Sequence, residues 1–423
     1  MKYFGTDGIR GEAYTKLTLE LAYKVGEALS LLNINKVVIG MDTRESSEDI
    51  LNSVIKGAIN CGLDVYNLKV LPTPALILES YYRKSIGVMI TASHNPYKDN
   101  GIKIVKCGYK IDDRDKLMIE DYIDGVLSFA HKINGKVIDD KSQYAEFLEK
   151  NMIRTKLKVV IDSANGAASN YVHVFDKMAT VKYISNTPNG KNINENCGAT
   201  HLENLINNMD GYDLGIAFDG DADRIMVVDD KKQIVDGDKL IYLFTKFFKK
   251  HDLLKKDSVV LTIMSNLGII NALNDLGINV SLSNVGDQNV LDMMIKNEYN
   301  LGGENSGHII SPLSITGDGL LNAIILLTIL SEEDEPLSKL VSDIEMYPYK
   351  MVNIKVTDKS IINNDNIQNT VKKYEEQFDK YGKIILRASG TEDLIRVTVM
   401  HKDQATMNEC LNHLVSLVNG EVK

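Results

Sequence analysis

A serine, a histidine and an asparagine stand together in the hexapeptide Thr91-Ala92-Ser93-His94-Asn95-Pro96. The apolar run 86–90 comes directly before it and predicts a buried strand, so the hexapeptide becomes the loop at that strand's carboxyl end. Open α/β sheets place their ligand sites at this end. Ser93 lies between a small residue and His94, which favours an accessible hydroxyl with an imidazole beside it. An ordinary turn is the alternative, because short motifs often occur by chance.

Three carboxylates alternate with small residues in Asp219-Gly220-Asp221-Ala222-Asp223, directly after another apolar run. Like charges this close repel one another, so the arrangement favours a bound cation. Oxygen ligands without histidine or cysteine indicate Mg²⁺ rather than zinc. An EF-hand loop needs a glutamate at its twelfth position, where this sequence has Asp230. A solvated acidic turn is the other alternative. An ion held by three carboxylates keeps a position for a phosphate oxygen, which a phosphorylated Ser93 would supply.

A phosphate-binding signal lies at residues 387–392, between two predicted strands. Guanidinium groups, hydroxyl groups and a backbone N–H beside a glycine suit a tetrahedral phosphate. A common Ser-Gly-Thr turn is the alternative. The candidate ligands are Arg387, Ser389, Gly390, Thr391 and, from the second strand, Arg396.

The glycine-rich segment 303–308 offers three further polar groups, those of Glu304, Ser306 and His308. A carboxylate suits two adjacent sugar hydroxyls, and an imidazole exchanges protons near neutral pH. A glycine-rich turn with an exposed histidine is the alternative. The segment is therefore a weaker candidate for sugar binding and proton transfer.

Two segments bring cations towards the serine loop. Residues 100–105 predict a strand that returns beside the first one and carries Lys103. The loop 5–11 carries Arg10, which can neutralise a phosphoserine or pair with Asp7. This loop is no P-loop, because the terminal Lys-Ser/Thr is missing.

Length and composition indicate a globular protein with several domains. The chain has 423 residues, 44% of them hydrophobic, and a net charge of −10 without any basic block. This charge argues against binding to nucleic acid or to an anionic membrane surface. The scattered cysteines predict a reduced state, the first residues do not resemble a signal peptide, and no apolar run is long enough to cross a bilayer. We expect a cytoplasmic protein.

Predicted strands and helices alternate over most of the chain, which favours layered α/β domains followed by a small α+β unit. The predicted domains are 1–150, 151–252, 253–345 and 346–423. Within the first domain, the two prolines of Pro72-Thr73-Pro74 predict a loop.

The loops together resemble those of the α-D-phosphohexomutases. They follow in the same order over essentially the whole chain, at 4–11, 91–103, 219–224, 303–308 and 387–391. Within that family, segments 192–201, 264–268 and 316–319 are similar to the bacterial branch that acts on glucosamine phosphates.

The resemblance implies a fold of four domains around a central cleft: three related α/β domains and a C-terminal α+β domain of the TATA-binding-protein-like type. It implies that Ser93 carries a phosphoryl group and binds one Mg²⁺ together with Asp219, Asp221 and Asp223. The 387–396 ligands would hold the phosphate that does not react. The other implied roles are phosphate binding by Arg10 and Arg224, proton transfer by Lys103 and His308, support of the serine loop by His94, and binding of sugar hydroxyls by Glu304 and Ser306.

The implied activity is an intramolecular phosphotransfer that converts glucosamine 6-phosphate into glucosamine 1-phosphate through a sugar bisphosphate, which also acts as the activator. The product would feed UDP-N-acetylglucosamine synthesis. The partner is thus a small hexose phosphate. The sequence does not decide between a monomer and a homodimer.

Departures from the family pattern leave the substrate open. Gln288 stands where an arginine is usual, Met41 replaces another arginine, and Asp393 replaces a proline beside the phosphate loop. Mutases acting on glucose or mannose phosphates, a non-catalytic sugar-phosphate-binding relative and a metal-dependent phosphatase are the alternatives.

Overall fold

The computed structural model describes residues 1–128, 135–389 and 393–421. Over these residues the chain forms three layered α/β domains and a smaller α+β domain, as the sequence predicts. The predicted boundaries after residues 150, 252 and 345 remain a prediction. Within the described ranges, no helix combines the length and the apolar character needed to cross a membrane.

Domain I contains a mixed sheet with the strand order β1-β2-β6-β5-β3-β4-β8, and β7 pairs with β6. Its strands are β1 (Phe4–Gly5), β2 (Gly8–Glu12), β3 (Lys36–Met41), β4 (Asp64–Val70), β5 (Ile86–Ile90), β6 (Asp99–Lys106), β7 (Tyr109–Lys110) and β8 (Val137–Asp139). Its helices are α1 (Leu19–Ala28), α2 (Ser47–Asn60), α3 (Thr73–Arg83), α4 (Asp113–Ile123) and α5 (Tyr144–Lys150).

Domain II contains the strand order β10-β9-β11-β12-β13, in which β10, β9 and β11 are parallel. Its elements are β9 (Lys158–Asp162), β10 (Thr180–Ile184), α6 (Glu203–Asn207), β11 (Leu214–Phe218), β12 (Ile225–Val228) and β13 (Ile234–Val235).

Domain III contains the order β15-β14-β16-β17, and α7 packs against its helices α8 and α10. Helix α7 (Gly237–Lys250) comes before the predicted boundary after residue 252. The elements of domain III are β14 (Ser258–Thr262), α8 (Leu267–Asp275), β15 (Asn279–Ser283), α9 (Asp287–Asn297), β16 (Gly302–Gly303), β17 (Ile309–Ile310), α10 (Gly319–Glu333) and α11 (Leu337–Leu340).

Domain IV is an antiparallel sheet in the order β18-β20-β19 with two helices. Its elements are β18 (Tyr349–Lys355), α12 (Asp365–Phe378), β19 (Gly382–Ala388), β20 (Leu394–His401) and α13 (Gln404–Glu421). Short 3₁₀ helices elsewhere in the chain are Leu29–Leu32, Ala167–Asn170, Val172–Lys177, Lys255–Asp257, Lys359–Asn363 and Asp379–Tyr381.

Each α/β domain ends its run of parallel strands in an antiparallel hairpin. These hairpins are β5–β6, β11–β12 and β16–β17. The serine loop, the aspartate loop and the segment 304–308 are the turns of these three hairpins. The same local geometry therefore presents three different chemistries at the carboxyl ends of three sheets.

The structure of residues 72–74 differs from the predicted loop. Thr73 begins the helix α3, where the sequence predicts a loop. A proline within the first turn does not disturb a helix, because the N–H groups of that turn have no intrahelical partner. The helix buries Leu76 and Leu78 in a core shared with domains II and III, so it fixes the position of domain I against its neighbours.

Candidate active site

The serine loop is held in a strained backbone conformation. Ser93 has a φ of 53°, a left-handed value that costs free energy in a residue with a side chain. The Ser93 N–H donates to Thr91 Oγ1 at 2.9 Å, and the Thr91 hydroxyl donates to Asp42 at 2.7 Å. The loop is therefore fixed from within domain I, with the Ser93 side chain directed towards domain II.

Two side chains outside the loop bind its carbonyl groups. The fully buried Arg44 donates to Ser93 O and to Asn95 O, both at 2.8 Å, and pairs with Asp42. Asn194 of domain II donates to the same carbonyl oxygens at 2.8 and 3.1 Å. Gly220 lies against Ser93 O so closely that a Cβ there would approach it to 2.6 Å. Domains I and II thus build the serine site together.

Asp219, Asp221 and Asp223 converge as the sequence predicts. Each offers a carboxylate oxygen within 4.8 Å of the others, and all three are buried. Ser93 Oγ donates to Asp219 Oδ2 at 2.6 Å. Burial, with Asp223 and Asp221 nearby, raises the pKa of Asp219 well above its ordinary range. The cluster carries more negative charge than it can stabilise alone.

The donor set fits a magnesium ion. Its groups are hard oxygens, and Asp221 Oδ1 and Asp223 Oδ1 are buried without a hydrogen-bond partner among the described residues. Buried acceptors of this kind are costly unless a cation or donor satisfies them. Asp219, Asp221, Asp223 and the Ser93 oxygen are the groups that would hold the ion.

Lys103 reaches the other side of the aspartate loop from β6. Its Nζ lies 2.8 Å from Asp221, 3.3 Å from Asp223 and 3.1 Å from Asp7. Burial disfavours the ammonium, but these carboxylates raise the pKa of Lys103 well above its ordinary value. The same contact holds the pKa of Asp221 below its usual range against the effect of burial. Lys103 is therefore held as an ammonium next to the aspartate loop.

Arg10, Arg224 and His94 lie around the same centre. Arg10 forms an ion pair with Asp7, the pairing that the sequence left open. Arg224 Nε is 3.9 Å from Asp223 Oδ1. His94 Nδ1 lies 3.4 Å from Ser93 Oγ, and burial together with the two arginines lowers the pKa of His94 to about 4. The imidazole is thus neutral at physiological pH.

The 304–308 turn meets the aspartate loop through backbone contacts. Arg224 and His308 form an antiparallel bridge, and the Ile225 N–H donates to Gly307 O at 3.0 Å. Glu304 accepts a hydrogen bond from the Gly286 N–H at 2.9 Å. Ser306 Oγ and His308 Nδ1 are buried without a hydrogen-bond partner in the described chain. Polar groups in this state are available for a ligand.

A cavity of about 480 Å³ lies between domains I and III, beside the aspartate loop and the 304–308 turn. Its lining includes Asp7, Lys103, Lys110, Asp223 and His308. This volume suits a small polar ligand. The cavity therefore reaches the aspartate loop through Asp223 and the 304–308 turn through His308.

The predicted phosphate ligands of domain IV lie on neighbouring strands. Arg387 and Arg396 are direct partners in the β19–β20 pairing, and Ser389 follows at the end of β19. Burial and the facing Arg396 lower the pKa of Arg387. Gly390 and Thr391 lie outside the described residues. The two guanidinium groups form a cationic surface on domain IV.

Several residues of the site escape sequence reasoning. Thr73 donates to Asp221 at 2.6 Å through its hydroxyl, but the proline-flanked segment predicts only a loop. Asn194 lies in the segment 192–201 that the family resemblance marks, and Arg44 follows a predicted strand, but neither residue gives a local sign that it binds the serine loop. Lys110 contacts Asp7 and Asp287 from β7. A cation in a two-residue strand gives no signal in one sequence.

Family models match the chain in four consecutive pieces. They are the phosphoglucomutase/phosphomannomutase α/β/α domains I, II and III, at residues 1–128, 142–232 and 236–347, and the C-terminal domain of the same family at residues 351–416. The chain is similar over its full length to the phosphoglucosamine mutase of Clostridioides difficile (41% identity, 99% of that protein covered) and of Lactococcus lactis (40%, 99%).

Solved structures share the fold at low identity. A phosphoglucomutase/phosphomannomutase family protein from Burkholderia thailandensis superposes with a TM-score of 0.82 at 20% identity, covering 100% of this chain and 98% of that one. The N-acetylphosphoglucosamine mutase of Aspergillus fumigatus, in complex with GlcNAc-6P and magnesium, gives 0.69 at 16% identity, covering 100% and 96%. These structures have the same overall fold as this chain. This chain belongs to the phosphoglucomutase/phosphomannomutase family.

Proposed function

We propose that the protein is a phosphoglucosamine mutase that interconverts glucosamine 6-phosphate and glucosamine 1-phosphate. The observation that carries this proposal is the contact of Ser93 Oγ with Asp219 inside a buried cluster of three carboxylates. The relatives that match the full chain at about 40% identity bear the name of this activity. The glucosamine specificity rests on that similarity.

The reaction begins with a phosphoryl group on Ser93. The free hydroxyl of the sugar monophosphate attacks this group, the bond to Ser93 Oγ breaks, and a glucosamine bisphosphate forms. The bisphosphate turns around, and Ser93 Oγ then takes the other phosphoryl group. The sugar leaves as the isomeric monophosphate, and the serine is phosphorylated again.

Chain residues supply charge and protons for both transfers. Arg10 and Arg224 bring guanidinium groups to the phosphoryl group, which lowers the barrier where negative charge develops. Lys103 and His308 are the groups that we assign to transfer of the sugar hydroxyl proton. His94 is neutral and supports the serine loop.

Mg²⁺ held by Ser93 and the three aspartates would neutralise charge on the phosphoryl group and make the serine oxygen a better leaving group. The buried, unpartnered oxygens of Asp221 and Asp223 support this assignment. The related Aspergillus structure contains magnesium together with a sugar phosphate. We further propose that a sugar bisphosphate restores the phosphoserine when it is lost by hydrolysis.

Sugar and distal phosphate need separate contacts. Glu304 and Ser306 hold hydroxyl groups of the sugar, and the cationic surface of Arg387 and Arg396, with Ser389, Gly390 and Thr391, holds the phosphate that does not react. The sugar must bind in two orientations, so each phosphate takes each position in turn. This second receptor distinguishes a mutase from a simple phosphatase, which has no use for it.

The cellular location, the domain boundaries and the oligomeric state of the protein are not determined by the centre itself. We keep a cytoplasmic location as a proposal, based on the scattered cysteines, which are all free. The domain boundaries are likewise a proposal. A homodimer and a monomer are both compatible with this centre.

A coupled assay with the 6-phosphates of glucosamine, glucose and mannose tests the proposal. We expect the highest kcat/KM with glucosamine 6-phosphate and no measurable turnover in Ser93→Ala. Ser85→Ala is the control, because the Ser85 hydroxyl is also buried but has no hydrogen-bond partner among described residues. Preference for glucose or mannose phosphate would assign the protein to another branch. Activity in Ser93→Ala would reject the phosphoserine mechanism, and release of inorganic phosphate alone would indicate a phosphatase.

A further inference from the structure

We infer that Lys110 is a positioning residue that joins the phosphoryl-transfer side of the centre to its sugar-binding side. The inference rests on the proposed mutase function and extends it to a residue with no assigned role. Lys110 belongs to domain I, on β7 next to the strand that carries Lys103. Its ammonium crosses the cleft to domain III.

Two carboxylates from different domains share this ammonium. Lys110 Nζ lies 2.8 Å from Asp7 Oδ1 and 2.6 Å from Asp287 Oδ2. The Lys110 side chain is only 22% exposed, so solvent screens these contacts weakly. Burial disfavours its charge, yet Asp287 and Asp7 raise the pKa of Lys110 above its ordinary value. The Lys110 ammonium, which forms a bridge between Asp7 and Asp287, therefore stays charged across the working pH range.

On its domain I side the bridge ends at the groups that face the phosphoryl group. The other oxygen of Asp7 pairs with Lys103 Nζ at 3.1 Å and with Arg10. Burial would raise the pKa of Asp7, but Lys103, Lys110 and Arg10 hold it well below its usual range. Asp7 is thus a fixed anion that orients two cations used in phosphoryl transfer.

On its domain III side the bridge ends at the sugar-binding turn. Asp287 is the first residue of α9 and lies 3.9 Å from His308 Nε2. The preceding residue, Gly286, donates its N–H to Glu304. By holding Asp287, Lys110 fixes the start of α9 and, through it, the positions of Glu304 and His308.

Without the ammonium, the same geometry would be unfavourable. Asp7 and Asp287 would face each other as partly buried like charges, and each raises the cost of ionising the other. The two carboxylates would separate. Lys103 and Arg10 would then move with Asp7, and His308 would move with Asp287. Displacements of about 1 Å at reacting groups cost on the order of 10²-fold in rate.

The test compares Lys110→Met with Lys110→Arg and with Lys106→Met. Lys106 is the matched control because it lies on the adjoining strand and pairs at 3.3 Å with Asp115 within domain I. In the assay with glucosamine 6-phosphate and Mg²⁺, we expect Lys110→Met to lower kcat about 10- to 100-fold with little change in KM. Lys110→Arg should recover most of the loss, and Lys106→Met should behave as wild type.

A double-mutant cycle identifies Asp287 as the group through which Lys110 acts. Asp287→Asn removes the charge that Lys110 holds, so Lys110→Met should cost far less in that background than in the wild type. Amide exchange at residues 284–290, measured by mass spectrometry, should increase in Lys110→Met and remain unchanged in Lys106→Met. This readout does not depend on activity.

The outcomes separate the two claims. Wild-type protein without mutase activity on any hexose phosphate would overturn the proposed function and, with it, the role of Lys110 in catalysis. Active wild type with an unaltered kcat in Lys110→Met would overturn the inference alone. Independent effects of Lys110 and Asp287, or unchanged exchange at 284–290, would also overturn it.

Discussion

The aspartate loop of domain II and the arginine pair of domain IV are opposite in charge and alike in their energetics. In the first, burial and neighbouring carboxylates raise the pKa of Asp219. In the second, burial and the neighbouring Arg396 lower the pKa of Arg387. Each cluster brings like charges together at a cost, and a ligand of opposite charge relieves that cost: a cation in the first case and a phosphate in the second.

The two clusters differ in how firmly they are built. The aspartates are buried and are bonded to Ser93, Thr73 and Lys103, all from domain I. The arginines stand on one sheet of a small domain whose hydrophobic core is separate from those of the other domains. A site for the reacting group must be preorganised to stabilise a transition state. A site that only holds the other end of the substrate can be looser.

This difference predicts a larger loss from the aspartate side. Asp221→Asn removes one ligand charge and one of the three carboxylate partners of Lys103. We therefore expect kcat to fall about 10²- to 10³-fold and the Mg²⁺ concentration needed for half-maximal rate to rise. A magnesium titration of the coupled assay measures both effects. Asp162→Asn is the control, since Asp162 is also fully buried at a strand end of domain II. Unchanged rates in Asp221→Asn and in the presence of EDTA would rule out the metal site.

A smaller and different effect is expected from the arginine side. Arg387→Met removes a charge-assisted hydrogen bond to phosphate, worth about 1.5–3 kcal/mol. We therefore expect KM to rise about 10- to 100-fold, with the Mg²⁺ requirement unchanged. Lys355→Met, which removes an exposed cation from the same sheet, should leave KM as it is. A loss of Mg²⁺ affinity in Arg387→Met would show that the two clusters are not separate.

Asp238 is a third buried charged group, and unlike the two clusters it has no assigned ligand. Burial, with Asp236 nearby, raises the pKa of Asp238 from 3.8 to about 7. The stability that protonated Asp238 contributes is fully present below its ordinary pKa and is lost as the pH rises through about 7.

Asp238→Asn has no such loss. The Tm of Asp238→Asn should therefore exceed that of the wild type by an amount that grows between pH 4 and 7.5. At pH 7.5 the corresponding difference in the free energy of unfolding should be on the order of 2–4 kcal/mol. Scanning calorimetry of both proteins across this range measures the difference. In the control Asp252→Asn, which changes an exposed aspartate, the Tm difference from the wild type should stay constant across this pH range. A constant difference for Asp238→Asn as well would mean that its carboxylate is ionised throughout.

Sequence reasoning succeeds where chemistry and local structure coincide. The β5–β6 and β11–β12 hairpins follow from apolar runs interrupted by short polar turns, and Ser93 and Asp219 stand within those turns. The Asp219–Asp223 spacing predicts a site for a hard cation. These features depend on neighbours along the chain, which is why one sequence contains them.

The remaining parts of the site depend on how the domains pack. Thr73 meets Asp221 because α3 begins where the prolines suggest a loop, and Asn194 reaches the serine loop from another domain. Lys110 finds Asp287 across the cleft. Such contacts join residues more than 70 positions apart, and no local pattern in a single sequence encodes them.

The central claim is that Ser93 carries the phosphoryl group during turnover. The most direct measurement is intact-mass analysis with peptide mapping after incubation with glucosamine 1,6-bisphosphate and Mg²⁺, followed by rapid mixing with glucosamine 6-phosphate. We predict one phosphate, located on Ser93, that leaves at the rate of turnover and appears in the sugar bisphosphate. A protein that turns over substrate without phosphate on Ser93, or with a phosphate that the sugar does not accept, would contradict this account.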